Sequence, residues 1–537
     1  MRFRKILTLL STVACLGGVG GLASVAQAVE QGGTFNFVAP YDGSILSLDP
    51  HMTSKQQDLL VTGNIFSSLY QWDSAANRPN PELAEVTSIS DDGLTYTYRM
   101  HSGIMFHNGR EMTARDVIWS WQRMMSMTPI SPNAGQIEII SGASAFKAGE
   151  ADTISGLKLI SDHEFSITLE ERVNPAYYFY LPGTAIVPRE EVEAAGEKFG
   201  LSPVGSGPFK FDEWVNGSHV SLSKFDSYFE DGKPHLDALN FRIMQEGATR
   251  DIAFRSGELD STLVEAAQYP QYIKDPVIGG NLVEVAEMFT RLISLNPEFE
   301  PFADKRVRQA LSLAIDENAI NKRFLRGKAY DPVGWLPPTS EGFDPAAKGF
   351  GYDVEKAKAL MAEAGYEDGF KLEILGTANE SYGVGVAEVL GQFLDDINIE
   401  ISTQQLEGGI LYDRLVAGDY QGIIWSFGSG ADPLKALSRW HSTTANTSGN
   451  YVHYSNADYD ALLDQAATTN DQDKRSKLLQ QADRIFQDDA PVWIFNYNKA
   501  VLAVQPWVHG IQPVAIEIMY QDFADVWVDS SSPRATK

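Results

Sequence analysis

Apolar and polar residues alternate along several short stretches of the chain, and this period of two is typical of half-buried β-strands. The stretches lie at 95–100, 220–223 and 239–243. Elsewhere the apolar positions recur at intervals of three, four and seven residues, as on one face of an α-helix. Because the two periods interleave throughout, the pattern predicts mixed α/β layers rather than a repeat array or an all-β sandwich.

Helix boundaries are predicted at several polar residues. Thr113 and Asp116 form a capping-box variant, and Asp304 and Asp353 precede two further helical patterns, the second ended by Gly365. More helices are predicted at 459–467 and 477–486, with a strand at 371–375. The predicted inner faces are Val117, Trp121, Met124 and Met125; Val307, Ala310, Leu311, Ala314 and Ile315; and Ala357, Leu360, Met361 and Ala364.

The first 28 residues have the layout of a secretory signal peptide. Basic residues precede an apolar run that ends in small residues, so we expect cleavage between Ala28 and Val29. An uncleaved anchor and a lipid-modified Cys15 remain alternatives. Cys15 is the only cysteine, so the exported chain would contain no disulfide.

Composition narrows the function classes. The chain has 537 residues, enough for two to three domains, and a formal net charge of −28. Such a charge repels phosphate backbones and anionic lipids, so we expect no nucleic-acid partner. Beyond the leader, no stretch approaches 18 consecutive apolar residues, so we expect the exported chain to be soluble.

Known catalytic motifs are absent from the sequence. It contains no His-Glu-x-x-His helix, no phosphate loop and no Gly-x-Ser-x-Gly elbow, and its nine histidines are scattered without metal-ligand spacing. We therefore expect no cofactor and no metal, and a binding protein rather than an enzyme. A secreted hydrolase with an unrecognised pair of carboxylates remains the alternative from another class.

Several strings, in order, resemble one family, the extracellular solute-binding proteins of ABC importers known as family 5. They are GGT at 32–34, LDP at 48–50, PELAE at 81–85, DG at 92–93 with FHNGREMTARDV at 106–117, VGSGPF at 204–209, GELD at 257–260 and PFADKRVRQA at 301–310. The resemblance implies an α/β fold of the periplasmic-binding-protein type, class II-like, with two lobes around a hinged cleft and an additional subdomain.

The family layout implies lobe one at 29–75, 200–290 and 506–537, an inserted subdomain at 76–199 and lobe two at 291–505. The chain would cross the hinge near Arg291 and near Gln505. The implied function is periplasmic: a monomer captures a small solute between its lobes, and importer permease subunits recognise the closed form.

The segment 424–433 is the best candidate for a binding loop, because aromatic residues alternate with glycine after a predicted strand. In dipeptide-type relatives an Asp of this loop anchors the ligand's amino group, and here that position is Ser429. A neutral hydroxyl cannot replace a carboxylate in a charge-assisted bond to ammonium. The candidate ligand-binding residues are Trp425, Phe427, Ser429, Asp432, Tyr41, Tyr497 and Arg439.

The ligand class follows from the family. Its members bind peptides most often, so the prediction is an oligopeptide or peptide-like solute. An oligosaccharide, an opine or a metal chelate is the alternative.

Overall fold

The computed structural model describes residues 28–38, 44–379, 382–445, 449–469 and 471–536. Cys15 and Tyr41 lie outside these ranges. Strands within them are β1 (Thr34–Val38), β2 (Tyr70–Asp73), β3 (Arg78–Pro81), β4 (Ala84–Ile89), β5 (Thr95–Met100), β6 (Leu157–Ser161), β7 (Glu164–Thr168), β8 (Phe209–Val215), β9 (His219–Lys224), β10 (Ala238–Arg242), β11 (Ser261–Leu263), β12 (Leu282–Leu295), β13 (Ala329–Tyr330), β14 (Phe370–Gly376), β15 (Ile399–Gln405), β16 (Gly422–Gly428), β17 (Val492–Val504), β18 (Val508–His509) and β19 (Trp527–Val528).

The helices in the same ranges are α1 (Gln56–Ile65), α2 (Ala114–Ser126), α3 (Ala143–Lys147), α4 (Ala176–Phe179), α5 (Arg189–Ala195), α6 (Gly247–Arg255), α7 (Tyr269–Tyr272), α8 (Lys305–Leu313), α9 (Glu317–Arg323), α10 (Val354–Glu363), α11 (Val384–Leu394), α12 (Gly408–Ala417), α13 (Pro433–Ser438), α14 (Ala457–Thr468) and α15 (Gln472–Asp489).

Lobe one is built on the sheet β1-β10-β9-β8, in which β1 and β10 are parallel and the other pairs antiparallel. Its core combines three parts of the chain: buried residues near the N-terminus, residues between about 185 and 243, and a C-terminal return from 502 to 528. Phe523 of the return packs against Phe35, Phe37 and Phe241. The C-terminal segment is therefore an integral part of lobe one.

The inserted subdomain has its own antiparallel sheet, β4-β5-β7-β6, and its own core between residues 69 and 186. Helix α2 covers this sheet, with Asp116 accepting a hydrogen bond from the Thr113 backbone at 2.8 Å as the capping box predicts. The predicted inner face of α2 is buried throughout. Trp121 stacks on Phe179 with ring centroids 4.5 Å apart, which ties α2 to α4.

Lobe two contains most of the seven-stranded sheet, whose order is β11-β17-β12-β16-β14-β15 with β13 beside β17. Strand β14 is parallel to both β15 and β16, so the carboxyl ends of these three strands share one edge. Helices α8, α10 and α11 pack on one face, and α13, α14 and α15 pack on the other. Both faces are buried, as expected for a sheet with parallel strands.

Strands β12 and β17 are the longest pair in the sheet, and they extend beyond lobe two to meet β11. Their pairing is interrupted where three residues of β12, Glu287 to Phe289, oppose the single residue Asn498. Arg291, the predicted crossing point, lies in β12 two residues beyond this bulge, and Gln505 directly follows β17.

Most local predictions are confirmed. The strands at 95–100 and 220–223 are present, and the strand at 239–243 ends one residue early. Asp304 and Asp353 cap α8 and α10 through their side chains, and Gly365 adopts the expected positive φ of 84°. The predicted inner faces differ only at their ends: Ala314 and Ile315 are buried after α8 has ended, whereas Leu360 and Ala364 are half-buried.

Candidate functional site

Strand β16 carries the predicted aromatic residues on one face. Trp425 and Phe427 are two residues apart, so their side chains point the same way, and their rings meet edge to face at 4.7 Å. Tyr412 stacks on Trp425 at 6.1 Å, and the Arg439 guanidinium lies 4.5 Å above the Phe427 ring. Burial lowers the pKa of Arg439. We call these four residues the aromatic wall.

The aromatic wall is only partly covered. Trp425 and Phe427 are half-buried at the edge of the lobe-two core, and Tyr412 is exposed. The indole Nε1 of Trp425 is buried without a hydrogen-bond partner among the described residues. A flat apolar surface with a polar edge is suited to stacking against a ligand.

The loop after β16 turns back towards lobe one. Ser429 is fully buried, and its backbone N–H donates to the carbonyl of Met288 in the β12 bulge at 2.9 Å. The Met288 N–H in turn donates to the carbonyl of Ala515 at 2.7 Å, on the C-terminal return. The bulge therefore connects the predicted binding loop to lobe one through backbone hydrogen bonds.

Asp432 ends this loop as the N-cap of α13, accepting from the Leu434 N–H at 3.0 Å. Burial raises the pKa of this carboxyl group, and the Arg475 guanidinium 3.5 Å away opposes the shift. The next helical turn places the Lys435 ammonium 4.3 Å above the ring of Tyr178, in the inserted subdomain. Asp432 thus shapes the loop and also faces a cationic side chain of α15.

A cavity of about 200 Å³ lies between the inserted subdomain and lobe two. Arg78 and Tyr177 line it from the subdomain side, and Glu341, Gln472 and Arg475 line it from lobe two. The Tyr177 hydroxyl donates to Glu341 at 3.5 Å, and Gln472 also donates to this carboxylate. Burial and the nearby carboxylates of Asp432 and Glu341 raise the pKa of Tyr177. The cavity is polar and spans two separately packed parts of the chain.

The candidate residues occupy different places. Trp425, Phe427 and Arg439 come together in the aromatic wall, and Ser429 and Asp432 lie on the adjoining loop. Tyr497 is a core residue: it is fully buried, and its hydroxyl donates to the Gly334 carbonyl at 2.5 Å and accepts from two backbone N–H groups of the same loop.

The cavity residues were not predicted. Arg475 and Gln472 lie on a helix whose charged face gives no sign of a partner, and Glu341 follows a loop without a motif. Tyr177 belongs to a run of four aromatic residues, 177–180, and this run is the one sequence feature that could have drawn attention to the cavity wall. The described residues contain no group of three or more His, Cys, Asp or Glu side chains placed to hold a metal ion. Within the same ranges, none of the helices has the length and apolarity needed to cross a membrane.

Curated relatives match most of the chain. It is 28% identical to a probable deoxycholate-binding periplasmic protein of Escherichia coli, with 86% of this chain and 88% of the relative covered. It is 27% identical to the dipeptide-binding protein of Escherichia coli, with 83% and 86% covered. It is 28% identical to a glutathione-binding protein of Shigella boydii, with 88% and 91% covered.

Solved structures share the fold. The unliganded open form of the murein tripeptide binding protein MppA superposes with a TM-score of 0.83 at 22% identity, covering 93% of this chain and 98% of that one. The periplasmic binding protein DppA of Helicobacter pylori, in complex with the peptide STSA, gives a TM-score of 0.70 at 26% identity, with 93% and 99% covered. Both likenesses support the two-lobed α/β architecture.

The family profile agrees with the order of the sequence strings. The family model described as "Bacterial extracellular solute-binding proteins, family 5 Middle" matches residues 78–448, which is more than half of the chain. The chain therefore belongs to the family 5 bacterial extracellular solute-binding proteins.

Proposed function

We propose that this protein is the exported, periplasmic solute-binding component of an ABC importer, and that it captures an oligopeptide or peptide-like solute between its lobes for delivery to the permease. It acts as a monomer, catalyses no reaction and binds no nucleic acid. Family membership supports the binding role, and relatives named for dipeptide and glutathione binding support the solute class.

The cavity between the inserted subdomain and lobe two is the observation that carries the proposal. Its volume is about 200 Å³, and it is lined by charged and polar side chains from both parts. Because its walls belong to two separately packed parts, a relative movement of the lobes would enclose a solute and remove it from water. Polar contacts strengthen in such an enclosed site.

The charges around the cleft favour a solute with a carboxylate. Arg78 and Arg475 line the cavity, with Lys435 close by on α13, whereas Glu341 is the one carboxylate that lines this part of the described structure. The loop position at which the resemblance to dipeptide binders implies an amino anchor is the buried, neutral Ser429. We therefore propose a solute that presents a carboxylate to the arginines and needs no ammonium anchor at this loop.

Further parts of the proposal concern the chain's organisation. We place signal cleavage between Ala28 and Val29, and we keep the predicted division into lobe one, inserted subdomain and lobe two. Tyr41, outside the described residues, and the aromatic wall stay proposed ligand contacts. Tyr497 is proposed to support the cleft from the core.

The test uses protein purified from the periplasm, unfolded to release bound solute and refolded. Thermal shifts are then measured against trialanine, dialanine, glutathione, deoxycholate, an opine and maltotriose. A ligand at 100 times its Kd adds about 2.7 kcal/mol of stability, which such an assay detects. A shift with the peptides, and their recovery intact, supports the proposal. A shift with another class alone contradicts the solute class, and recovery of cleaved products contradicts the binding role.

A pair of variants on one helix tests the cavity. Arg475→Gln removes a cavity cation, whereas Arg484→Gln, also on α15, removes a cation that pairs with Asp344 away from the cavity. We expect the first to weaken solute binding at least tenfold, the order of one lost charged hydrogen bond, and the second to leave affinity unchanged. Equal effects would show that the cavity is not the site.

A further inference from the structure

The face of the lobe-two sheet opposite the aromatic wall carries a row of polar side chains. Arg291 of β12 lies directly beside Ser426 of β16 and Asn496 of β17. Directly opposed residues in antiparallel strands point to the same face, with Cβ atoms about 4.5–5.5 Å apart. The next residues along this face, including Ile293 and Ile424, belong to the apolar core. The polar row thus borders that core.

Arg291 is deeply buried, with only 7% of its side chain exposed, and its charge is already matched. One terminal nitrogen donates to Glu287 at 2.8 Å, and the other donates to the Ser426 hydroxyl. The rings of Tyr382 and Phe289 lie 5.0 and 5.6 Å from the guanidinium carbon. These contacts fix the side chain in one position.

Two donors in the row nevertheless have no acceptor. The Nε–H of Arg291 and the Nδ2 amide of Asn496 are both buried, and neither has a hydrogen-bond partner among the described residues. A buried donor without an acceptor is costly, and such groups in native structures call for an explanation. A purely structural role for Arg291 explains its bonds to Glu287 and Ser426 but explains neither unpaired donor.

The row lies where a ligand of an open α/β sheet is expected. Ser426 is close to the carboxyl end of β16, at the edge that β14 and β15 share, and ligands bind outside this edge. Arg291 is two residues from the β12 bulge that connects lobe two to Ala515 of lobe one. The unpaired donors therefore lie close to the sheet edge at which a ligand is expected and next to the bulge that joins the two lobes.

The local charge favours a neutral acceptor over an anion. Glu287 compensates Arg291 directly and also accepts from Asn498 at 2.9 Å. The same Glu287 carboxylate also attracts the Lys328 ammonium group and repels the Glu517 carboxylate, so one further positive and one further negative group face it. A second carboxylate would add an uncompensated negative charge to this balanced group, whereas a carbonyl oxygen would satisfy the donors without one.

We propose that the Nε–H of Arg291 and the side-chain amide of Asn496 form a subsite for a neutral carbonyl oxygen of the solute, the acceptor that every peptide group supplies. This inference rests on the proposed function and refines it. The carboxylate of the solute binds at the arginines of the cavity, and one of its amide carbonyls accepts from the polar row. A solute without such a carbonyl leaves both donors unpaired.

Two variants on β17 separate this subsite from a structural role. Asn496→Leu removes an unpaired amide of similar size, so we expect ligand-free Tm to stay level or rise by about 1–2 °C while trialanine affinity falls at least tenfold. Asn498→Leu is the matched control, because its amide donates to Glu287. We expect Asn498→Leu to lower Tm. A fall in Tm for Asn496→Leu as large as that of the control would overturn the inference.

Isothermal titration with trialanine and trialanine amide tests the acceptor. Both probes keep the internal carbonyls, so Asn496→Leu should weaken both by the same factor. A loss confined to trialanine would assign the donors to its carboxylate and overturn the neutral acceptor. If wild-type protein binds neither probe, the solute class of the proposed function fails, and the Tm contrast between the two β17 variants still decides whether the unpaired donors exist.

Discussion

His51 joins lobe one to the inserted subdomain and should make the stability of the protein pH-dependent. Its ring is fully buried. The Arg123 guanidinium, on α2, contacts His51 Nδ1 at 2.8 Å and Asp49 at 2.6 Å, and His51 Nε2 contacts the Ala185 carbonyl at 2.8 Å. Because a guanidinium can only donate and a carbonyl can only accept, this network assigns the proton to Nε2 and requires a neutral ring.

The magnitude follows from the shift of this group. Burial lowers the pKa of His51 from 6.5 to about 4, Arg123 adds to the effect, and Asp49 opposes it. Between these values the unfolded chain binds one more proton than the folded protein, so the free energy of unfolding decreases as the pH falls. The contribution of neutral His51 to the free energy of unfolding is complete well above pH 6.5. It is smaller by about 2 kcal/mol at pH 5.0 and by about 3 kcal/mol near pH 4.

The assay is urea unfolding of wild type and His51→Gln at pH 7.5 and 5.0. Glutamine retains a donor for Ala185 but cannot be protonated in this range, so the stability advantage of wild type should shrink by about 2 kcal/mol at pH 5.0. The difference between the unfolding free energies of the two proteins removes the contribution of other groups, such as Glu317, whose pKa burial raises to about 8. His163→Gln, on an exposed turn, controls for the loss of a histidine. A difference between wild type and His51→Gln that is the same at both pH values would refute the reasoning.

Three further substitutions have expected effects of known sign. Asp260→Asn should destabilise the protein by about 3–5 kcal/mol in urea, because the fully buried carboxylate pairs with Arg534 of the C-terminal return. Gly205→Ala should lower Tm, by the equivalent of about 1–3 kcal/mol, since a Cβ there would overlap the carbonyl oxygen of Ile65. Gly385→Ala, exposed in α11 with open space around it, should instead raise stability by about 0.5–1 kcal/mol. Opposite shifts of the two glycine variants check the steric argument, and shifts of the same sign contradict it.

Local structure could be predicted because its causes are local. The bond between the Thr113 backbone and Asp116 forms within one turn, and the caps at Asp304 and Asp353 reach only two or three residues along the chain. The inner face of α2 follows from the helical period in the same way. The differences lie at helix ends: Ala314 is buried as predicted, but it is the C-cap of α8, with its N–H donating to the Ala310 carbonyl, rather than a residue inside the helix.

The candidate site depends on strand register and on contacts between distant segments. Arg291 and Ser426 are 135 residues apart and meet because β12 and β16 pair in one register, and a shift of one residue would place the two side chains on opposite faces. Tyr497 is a candidate cleft residue for which the sequence also allows core packing, and the structure buries it fully, with β17 paired to β13 at this position. Neither register can be read from a single sequence.

The net charge of the protein and the charges that line the cavity have opposite effects on an anionic solute. The full chain carries a net charge of −28, so its distant field opposes an anionic solute. Salt screens that field within about 8–10 Å. Under the proposed function, Arg78 and Arg475 would therefore act on a carboxylate only after it has entered, while the balanced polar row would act on a neutral carbonyl. Selection by the two proposed subsites would then depend on groups that become buried together on closure of the lobes, rather than on the charge of the whole protein.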